Sequence, residues 1–369
     1  MYDFAEPMPL PLPEASAGEK LRAWHKWAAQ ETMVRTLLGL YIVDGMVSQF
    51  SGNPTFARHL SNPLFLPSND VAFNATTVDT WMEHMHRSGD RKIRFRDIYH
   101  QLFEGSDDCA IKDNFSWFHH KVILEGIRCL VSDANRVNPP PVGVPRKQDI
   151  LYVLRQLRAD IIRSRNLSSK DRSAALLQWH TICLDMMANT ARGTRRICHL
   201  HGISQSIFGG YERHEGRIRP QNWVNSRAAR IALLHATHIH AVAARLPLGM
   251  ASDVNVPGAL FAATTTYSAF ALAGVPTIIL PVTVNWEETL TNQDDNTGTE
   301  NSSNGNSTCR FIDGTINNAN DASEQYVRRD LPYDLTAIRT LLRSLALQWG
   351  VAQEMEEVVS AWIKRCGLE

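Results

Sequence analysis

The chain has 369 residues, 44% of them hydrophobic, and its 38 lysines and arginines balance 38 aspartates and glutamates. This composition predicts a globular protein with a large core, and the lack of a basic excess argues against direct binding of DNA phosphates. No uninterrupted apolar stretch is long enough to cross a membrane, and the N-terminus lacks the pattern of a signal peptide, so we expect no membrane partner.

The beginning of the chain is predicted to be a disordered lead-in followed by a long helix. Four prolines prevent a helix within residues 1–16: Pro7, Pro9, Pro11 and Pro13. From Ala17 to about Phe50, apolar residues recur at three- and four-residue spacings, which predicts a helix that Gly52 ends. Residues 53–76 are interrupted by prolines and are predicted to form a loop that packs through its apolar residues.

Helical spacing continues through most of the remaining chain, and no segment shows a sustained strand alternation. The predicted helices are a short one around Trp81, then Phe95–Phe103, Asn114–Ala134, Lys147–Arg165, Ser169–Thr190, Asn225–Arg245, Val256–Gly274, Tyr333–Trp349 and Val351–Arg365. The helix at Val256–Gly274 is apolar nearly all round, which predicts a central buried helix. The predicted fold class is therefore all-α, with one large helical domain over residues 17–369.

Residues 291–324 interrupt that predicted domain. The segment consists largely of Asn, Thr, Ser, Gly and Asp, and it offers little to bury. We therefore predict a disordered surface insertion.

The six cysteines predict no metal site and no disulfide framework. They are scattered without a C-x-x-C pair: Cys109, Cys129, Cys183, Cys198, Cys309 and Cys366. Cys129 and Cys183 lie in apolar helical patterns and are predicted to be small buried hydrophobes in a reducing compartment.

Several short motifs occur in a fixed order along the chain. No single motif is specific to one family. In chain order, the motifs are Trp24, Trp27 and Glu31-x-x-x-Arg35, then Phe95-Arg96-Asp97, Trp179-His180, His235 through Arg245-Leu-Pro-Leu-Gly, Val256-Pro257, Asn285-Trp286-Glu287 and Gln348-Trp349-Gly350. As an ordered set over roughly residues 20–365, they resemble the regulatory domain, or middle homology domain, of fungal transcription factors with zinc fingers or a binuclear zinc cluster.

The resemblance implies a nuclear regulator of transcription by RNA polymerase II rather than an enzyme. We therefore expect protein partners, either transcriptional co-regulators or a second copy of the chain, and the Val256–Gly274 helix adds the hypothesis of a small-molecule effector. DNA would be reached only indirectly or through an N-terminal zinc module that this sequence lacks. Zinc is expected only in that module, and the resemblance offers no catalytic, cofactor or metal residues in this chain.

Two other classes of protein remain open from the sequence. A helical enzyme such as a terpene cyclase would need an Asp-rich motif on a helix to hold Mg²⁺, and Asp107-Asp108 and Asp294-Asp295 occur only in turn-like or low-complexity contexts. A DNA-free scaffold or dominant-negative regulator would pair with full-length relatives through exposed helices.

Two histidine-containing motifs and a histidine-rich helix invite a metal-binding interpretation. Cys198-His199-x-His201 and His84-x-His86 supply no paired set of four donors, so we predict histidines beside helix ends. The helix histidines His235, His238 and His240 show no matching carboxylate or histidine partner in sequence.

Ser116 lies three and four residues before His119 and His120, a spacing that allows contact on a helix. No strand–turn–helix elbow surrounds the serine, so we predict a helix surface or a packing face rather than a nucleophile.

Three further expectations concern packing. Glu31 and Arg35 are predicted to form a buried polar network, with Asp44 further along the same helix. Trp286 is predicted to anchor a core. The small-residue run Ala262–Thr266 suggests space for a small-molecule pocket beside the central helix.

Overall fold

The structure is a computed structural model. It describes residues 9–51, 55–57, 62–88, 93–104, 115–136, 144–209, 220–246, 253–291, 306–316 and 325–367. Asp107-Asp108, Asp294-Asp295 and most of the segment 291–324 lie outside these ranges.

Helices dominate the described residues, so the all-α prediction is confirmed. They are α1 Ala17–Ser51, α2 Asp70–Phe73, α3 Val78–Ser88, α4 Phe95–Glu104, α5 Trp117–Arg136, α6 Lys147–Arg163, α7 Ser169–Ala188, α8 Thr190–Leu200, α9 Pro220–Val224, α10 Arg227–Ala243, α11 Val256–Leu272, α12 Ser307–Asp313, α13 Leu331–Leu345 and α14 Val351–Arg365. Two short strands accompany them, β1 Thr277–Pro281 and β2 Tyr326–Asp330. Among the described helices, none has the length and apolarity needed to cross a membrane.

The start of the chain departs from the predicted disorder. Leu10 packs against the cluster around Trp27 and Trp81, and the Lys20 ammonium donates to the Pro13 carbonyl. Ser16 and Glu19 form a capping box, since the Ser16 N–H donates to Glu19 Oε2 at 2.9 Å and the Glu19 N–H donates to Ser16 Oγ at 3.3 Å. The part of the lead-in from residue 9 onwards is therefore held in place by contacts that its proline content concealed.

The predicted insertion 291–324 also needs correction. Residues 306–316 contain α12, which Asn306 caps by accepting a hydrogen bond from the Thr308 N–H. Phe311, Ile312 and Thr308 are buried. Two adjacent apolar residues and one cap are enough to fold this short helix onto the core, although the surrounding composition is polar.

Contacts divide the chain into two compact units. Unit 1 comprises residues 1–48, 54–129 and 156–175, and unit 2 comprises residues 49–53, 130–155 and 176–369. Each has a core of its own.

Unit 1 is organised around α1, whose inward face carries Trp27, Leu38 and Tyr41. The Trp27 and Trp81 rings lie 5.5 Å apart, and Tyr41 meets Phe95 edge to face at 5.2 Å. These aromatic contacts join α1 to α3 and α4.

The predicted Glu31–Arg35 network is confirmed as a buried feature of unit 1. Arg35 Nε donates to Glu31 Oε1 at 2.9 Å, and its two terminal nitrogens donate to Asp70 Oδ1 and the Ser68 carbonyl. Glu31 also accepts from the Ser68 N–H at 2.8 Å, so the pair ties α1 to the start of α2. Asp44 serves a separate contact, in which its Oδ2 accepts from the Ala57 N–H.

A second buried ion pair in unit 1 requires a glycine on α1. Glu125 is fully buried, and Arg128 donates from Nε to Glu125 Oε2 at 3.1 Å and from Nη2 to Oε1. Burial raises the pKa of Glu125, and the Arg128 charge opposes that shift. A side chain at position 45 would overlap Glu125 Oε1 and come within 2.9 Å of Arg128 Nη2. Only glycine therefore lets α1 approach the pair this closely.

Unit 2 is built around α11, which is buried from Val256 to Phe270 as its apolar sequence predicts. It packs against α8, α9, α10, α13 and α14. Phe261 stacks on Trp362 of α14 with ring centroids 5.6 Å apart.

A two-stranded antiparallel sheet, whose first strand follows α11 in the chain, was missed by the sequence prediction. Its register runs from Thr277 opposite Asp330 to Pro281 opposite Tyr326. Each strand has only five residues, and one ends in proline while the other is rich in arginine. The alternation of apolar and polar residues is therefore too short to detect in the sequence. Strand β2 leads directly into α13, and the N–H of Leu331, the first residue of α13, donates to the Pro276 carbonyl just before β1.

We predict that Gly45→Ala destabilises the protein by about 1–3 kcal/mol, because the added methyl group meets the buried Glu125–Arg128 pair. Gly39→Ala, on the same helix, has open space around the new methyl group and should stabilise by about 0.5–1 kcal/mol. Urea unfolding of both variants measures the two effects. Equal changes in the two midpoints would contradict the proposed packing.

Candidate functional site

Helix α7 presents two buried aromatic residues to the interior of unit 2. Trp179 and His180 are almost completely buried, and the Trp179 indole N–H donates to the Leu154 carbonyl at 2.8 Å. The two rings meet edge to face at 4.8 Å. The hydrogen bond to α6 fixes the rotation of α7 and therefore directs His180 towards α10.

Helix α10 supplies two further imidazoles. His235 and His238 lie one turn apart, and the Nδ1 atom of His235 is 2.9 Å from Nδ1 of His180. One of these nitrogens donates and the other accepts, so a hydrogen bond joins the two histidines across the helix interface. His238 lies over His180 with ring centroids 4.1 Å apart.

The indole of Trp286 covers this group of imidazoles. Its ring centroid is 4.4 Å from His180, 5.0 Å from His235 and 5.1 Å from His238. Trp286 is buried, which confirms its predicted role as a core anchor. We call Trp179, His180, His235, His238 and Trp286 the histidine–tryptophan cluster.

The turn that carries Trp286 is held by its own side chains and by α12. Asn285 Oδ1 accepts from the Glu287 N–H at 3.2 Å, and the Asn285 N–H donates to Thr308 Oγ1 at 2.9 Å. The Thr289 hydroxyl donates to the Trp286 carbonyl at 2.7 Å. Thr308, in the segment predicted to be disordered, is thus part of the support for the cluster.

An ion pair at the solvent side completes the turn. Arg155 Nε lies 3.0 Å from Glu287 Oε2, and Arg155 Nη2 donates to the Leu290 carbonyl at 3.3 Å. Both charged side chains are substantially exposed, so this ion pair contributes little to the stability of the turn.

The cluster joins three motifs that are far apart in the sequence: Trp179-His180, the motif that begins at His235 on α10, and Asn285-Trp286-Glu287. Sequence reasoning gave His235 no histidine partner, because nothing in the spacing reveals that His180 lies across the α7–α10 interface. Among the described residues, no group of three or more His, Cys, Asp or Glu has the geometry to hold a metal ion. The evident chemistry of the cluster is one hydrogen bond between two imidazoles, surrounded by tilted and edge-to-face aromatic rings.

A second buried polar group lies further along α10. His240 Nδ1 is 3.8 Å from Asp334 Oδ1, and Arg329 Nε lies 3.3 Å from Asp334 Oδ2. Burial lowers the pKa of His240 to about 4, and the Arg329 charge adds to this effect. Burial raises the pKa of Asp334 despite Arg329, and burial together with Asp334 raises the pKa of Tyr267.

The predicted contact between Ser116 and His119 is present in unit 1, where both residues are buried. Ser116 Oγ is 2.8 Å from His119 Nδ1, and the Ser116 N–H also donates to that nitrogen at 3.2 Å. Nδ1 therefore accepts, and the Nε2 proton is directed to the Pro67 carbonyl at 2.8 Å. Ser116 immediately precedes α5, so this arrangement caps the helix. Burial lowers the pKa of His119 to about 4.

His120 makes a separate contact from the same turn. Its Nδ1 atom is 2.9 Å from the Ser116 carbonyl oxygen. Burial lowers the pKa of His120, and the Ser116 contact opposes that shift. Packing, rather than a nucleophile–base pair, accounts for the geometry of both histidines.

The remaining metal-like motifs belong to different units. Cys198 and His199 lie in the last turn of α8, with His201 at its C-cap. Cys198 is buried, which raises the pKa of its thiol to about 12. His84 and His86 lie on α3 in unit 1. Cys129 and Cys183 are buried as predicted.

The small-residue run on α11 accommodates a helix. Thr265 Oγ1 lies 2.8 Å from Thr194 Oγ1 of α8, and a side chain at Gly193 would come within 3.5 Å of the Thr265 methyl group. The space that suggested a ligand pocket along Ala262–Thr266 is occupied by α8 at this point.

Comparison with known proteins gives no family for this chain. No protein-family model matches it, and neither curated proteins nor solved structures yield a significant match. Fold and geometry therefore define the class only as an all-α protein with a buried histidine–tryptophan cluster. The resemblance to fungal regulatory domains stays a prediction.

Thr308→Val should destabilise the protein by about 1–3 kcal/mol, because the Asn285 N–H loses its acceptor in the turn that carries Trp286. Thr315→Val, near the exposed end of the same described segment, is the matched control and should stay within about 0.5 kcal/mol of the parent. Chemical unfolding measures both changes. A neutral Thr308→Val would show that α12 does not support the turn.

Stability is predicted to fall as the pH is lowered from 6.5 towards 4. His119 and His240 have folded pKa values near 4, whereas an unfolded histidine titrates near 6.5, so the unfolded state binds the proton first. Above pH 6.5, each histidine contributes its full share to the free energy of unfolding. At pH 5, about 2 kcal/mol of that share is lost for each histidine. Urea unfolding at pH 7.5 and pH 5 tests this loss. Between the two pH values, the His240→Phe variant should lose less free energy of unfolding than the parent. A loss equal to that of the parent would contradict the assignment to His240.

Proposed function

We propose that this chain is the regulatory domain of a fungal nuclear transcription factor. It controls transcription by RNA polymerase II through contacts with transcriptional co-regulators or a second copy, under the influence of a small effector. DNA is reached indirectly or through a zinc module outside this sequence. Zinc is required only in that module.

The observation that supports this proposal most is the meeting of separate motif residues in one place. Trp179, His180, His235 and Trp286 belong to three of the motifs that carry the resemblance, and their rings are in mutual contact. Their assembly supports treating the ordered motifs as one structural signature.

The arrangement suits regulation because it couples elements rather than exposing reactive atoms. The histidine–tryptophan cluster connects α7, α10 and the turn after β1, so displacement of the turn would change the α7–α10 interface. A ligand or partner that prefers one arrangement shifts the population towards it. An effector that contacts the Arg155–Glu287 rim would act on that turn directly.

A tethering experiment tests the proposal. The chain, fused to a heterologous DNA-binding domain, should change transcription of a reporter carrying the matching operator several-fold in a fungal host. Arg155→Ala, at the exposed rim, should alter that response while the thermal melting profile is retained. Gln353→Ala, on an exposed position of α14, is the surface control and should respond like the parent.

An unchanged reporter, with the fusion folded, expressed and nuclear, would contradict the proposal. Recovery of a reporter effect without any DNA-binding fusion would instead favour the DNA-free scaffold. Turnover of an isoprenoid diphosphate by the purified chain would favour the helical enzyme.

A further inference from the structure

The second half of α1 carries an apolar face that points away from the core of unit 1. Between positions 32 and 47, five large apolar side chains are 37–60% exposed: Met33, Leu37, Leu40, Val43 and Val47. Thr32 and Thr36 are the other exposed residues of this stretch. The seven residues form a continuous strip, which we call the α1 stripe.

The α1 stripe contains no charge. Arg35 and Asp44 are the only charged residues between positions 32 and 47, and both are engaged within unit 1. Arg35 binds Glu31 and Asp70, and Asp44 binds the Ala57 N–H. Exposed positions nearer the start of the helix are different in character, since they include Arg22, His25 and Lys26.

The spacing of the stripe is that of a helix–helix seam. Met33, Thr36, Leu40, Val43 and Val47 follow one another at intervals of three, four, three and four residues. This is the a/d pattern of a heptad repeat, which keeps a seam facing a partner helix. Two heptads are too few for a free coiled coil, but α1 is already fixed by packing within unit 1.

We propose that the α1 stripe is the dimerisation surface of this protein, and that its occupant is the α1 stripe of a second copy running antiparallel. The two-fold axis passes close to Leu40, which lies midway between Met33 and Val47. Met33 of one copy then lies near Val47 of the other, and Leu37 near Val43. A two-fold interface requires a patch that complements itself, and this symmetric spacing meets that requirement.

The absence of charge favours a second copy over a charged partner. A partner with charged groups along its face would leave them desolvated and unpaired against the stripe, which is costly. A second copy offers an equally uncharged face, and the basic residues near the start of each helix lie beyond the antiparallel overlap.

The size of the stripe sets the expected strength of the dimer. Sixteen helical residues span about 24 Å, and seven side chains per copy compare with roughly 20–30 residues per side in a standard interface. The dimer is therefore weak and its population depends on concentration.

Sedimentation velocity over a concentration series tests the proposal with the intact chain. The parent should move from monomer towards dimer as concentration rises, and Leu40→Glu should weaken association at least about tenfold because it buries a carboxylate at the axis. Leu347→Glu alters an equally apolar but fully exposed position between α13 and α14, and should associate like the parent. Matching circular dichroism and melting profiles establish that the variants fold.

Disulfide trapping tests the orientation. In a background with Cys109, Cys309 and Cys366 replaced by serine, Leu40→Cys chains should cross-link to one another. A mixture of Met33→Cys and Val47→Cys chains should cross-link between the two variants, whereas Met33→Cys alone should not. Cross-linking of Met33→Cys with itself would overturn the antiparallel arrangement.

A parent that stays monomeric at every accessible concentration would overturn the proposal, as would a Leu40→Glu variant that dimerises normally. The proposal identifies the surface for the self-association that the proposed function includes as one of two kinds of contact. Reporter output and sedimentation are separate readouts, so either proposal can fail without the other.

Discussion

Packing of three imidazoles, two of them buried, against one buried indole is the constraint on which the arrangement of unit 2 depends. Imidazole nitrogens cannot be buried cheaply without hydrogen-bond partners, and His180 and His235 satisfy part of that need through each other. That bond requires α7 and α10 to lie at one rotation and one separation. Trp286 then excludes water, which strengthens the polar contact beneath it.

The support for the cluster extends outward through hydrogen bonds to backbone groups. Trp179 is held by the Leu154 carbonyl on one side, and the turn around Trp286 is held by Asn285 and Thr308 on the other. The apolar helix α11 packs against α10 and α8. The position of α10, and with it that of His235, therefore depends on the packing of α11 as well as on its own contacts.

Much of the helical content could be predicted because strong periodicity and capping residues agree along the chain. α11 is apolar all round and is buried, and α14 begins and ends where its spacing predicts. The sequence prediction missed both strands and the helices α2, α8, α9 and α12, and apart from α8 with 11 residues each of these has seven residues or fewer. Composition misled the prediction at α12, since two apolar residues outweigh the polar sequence around them.

The candidate site was only partly predictable for a different reason. Trp286 and His235 could be singled out from motifs, but the contact between His235 and His180 spans 55 residues and depends on how two helices pack. Local spacing can reveal partners on one helix, such as Glu31 with Arg35 or Ser116 with His119. Partners across a tertiary interface have no such signal in a single sequence.

The central claim is that Trp286 and the histidines act as one packed unit. A double-mutant cycle with His180→Ala and Trp286→Ala, followed by chemical unfolding, tests it most directly. Residues in contact should show an interaction energy of about 0.5–3 kcal/mol, so the double variant should differ from the sum of the single variants by that amount. Additivity to within about 0.3 kcal/mol would contradict the cluster and the support it gives to the proposed function.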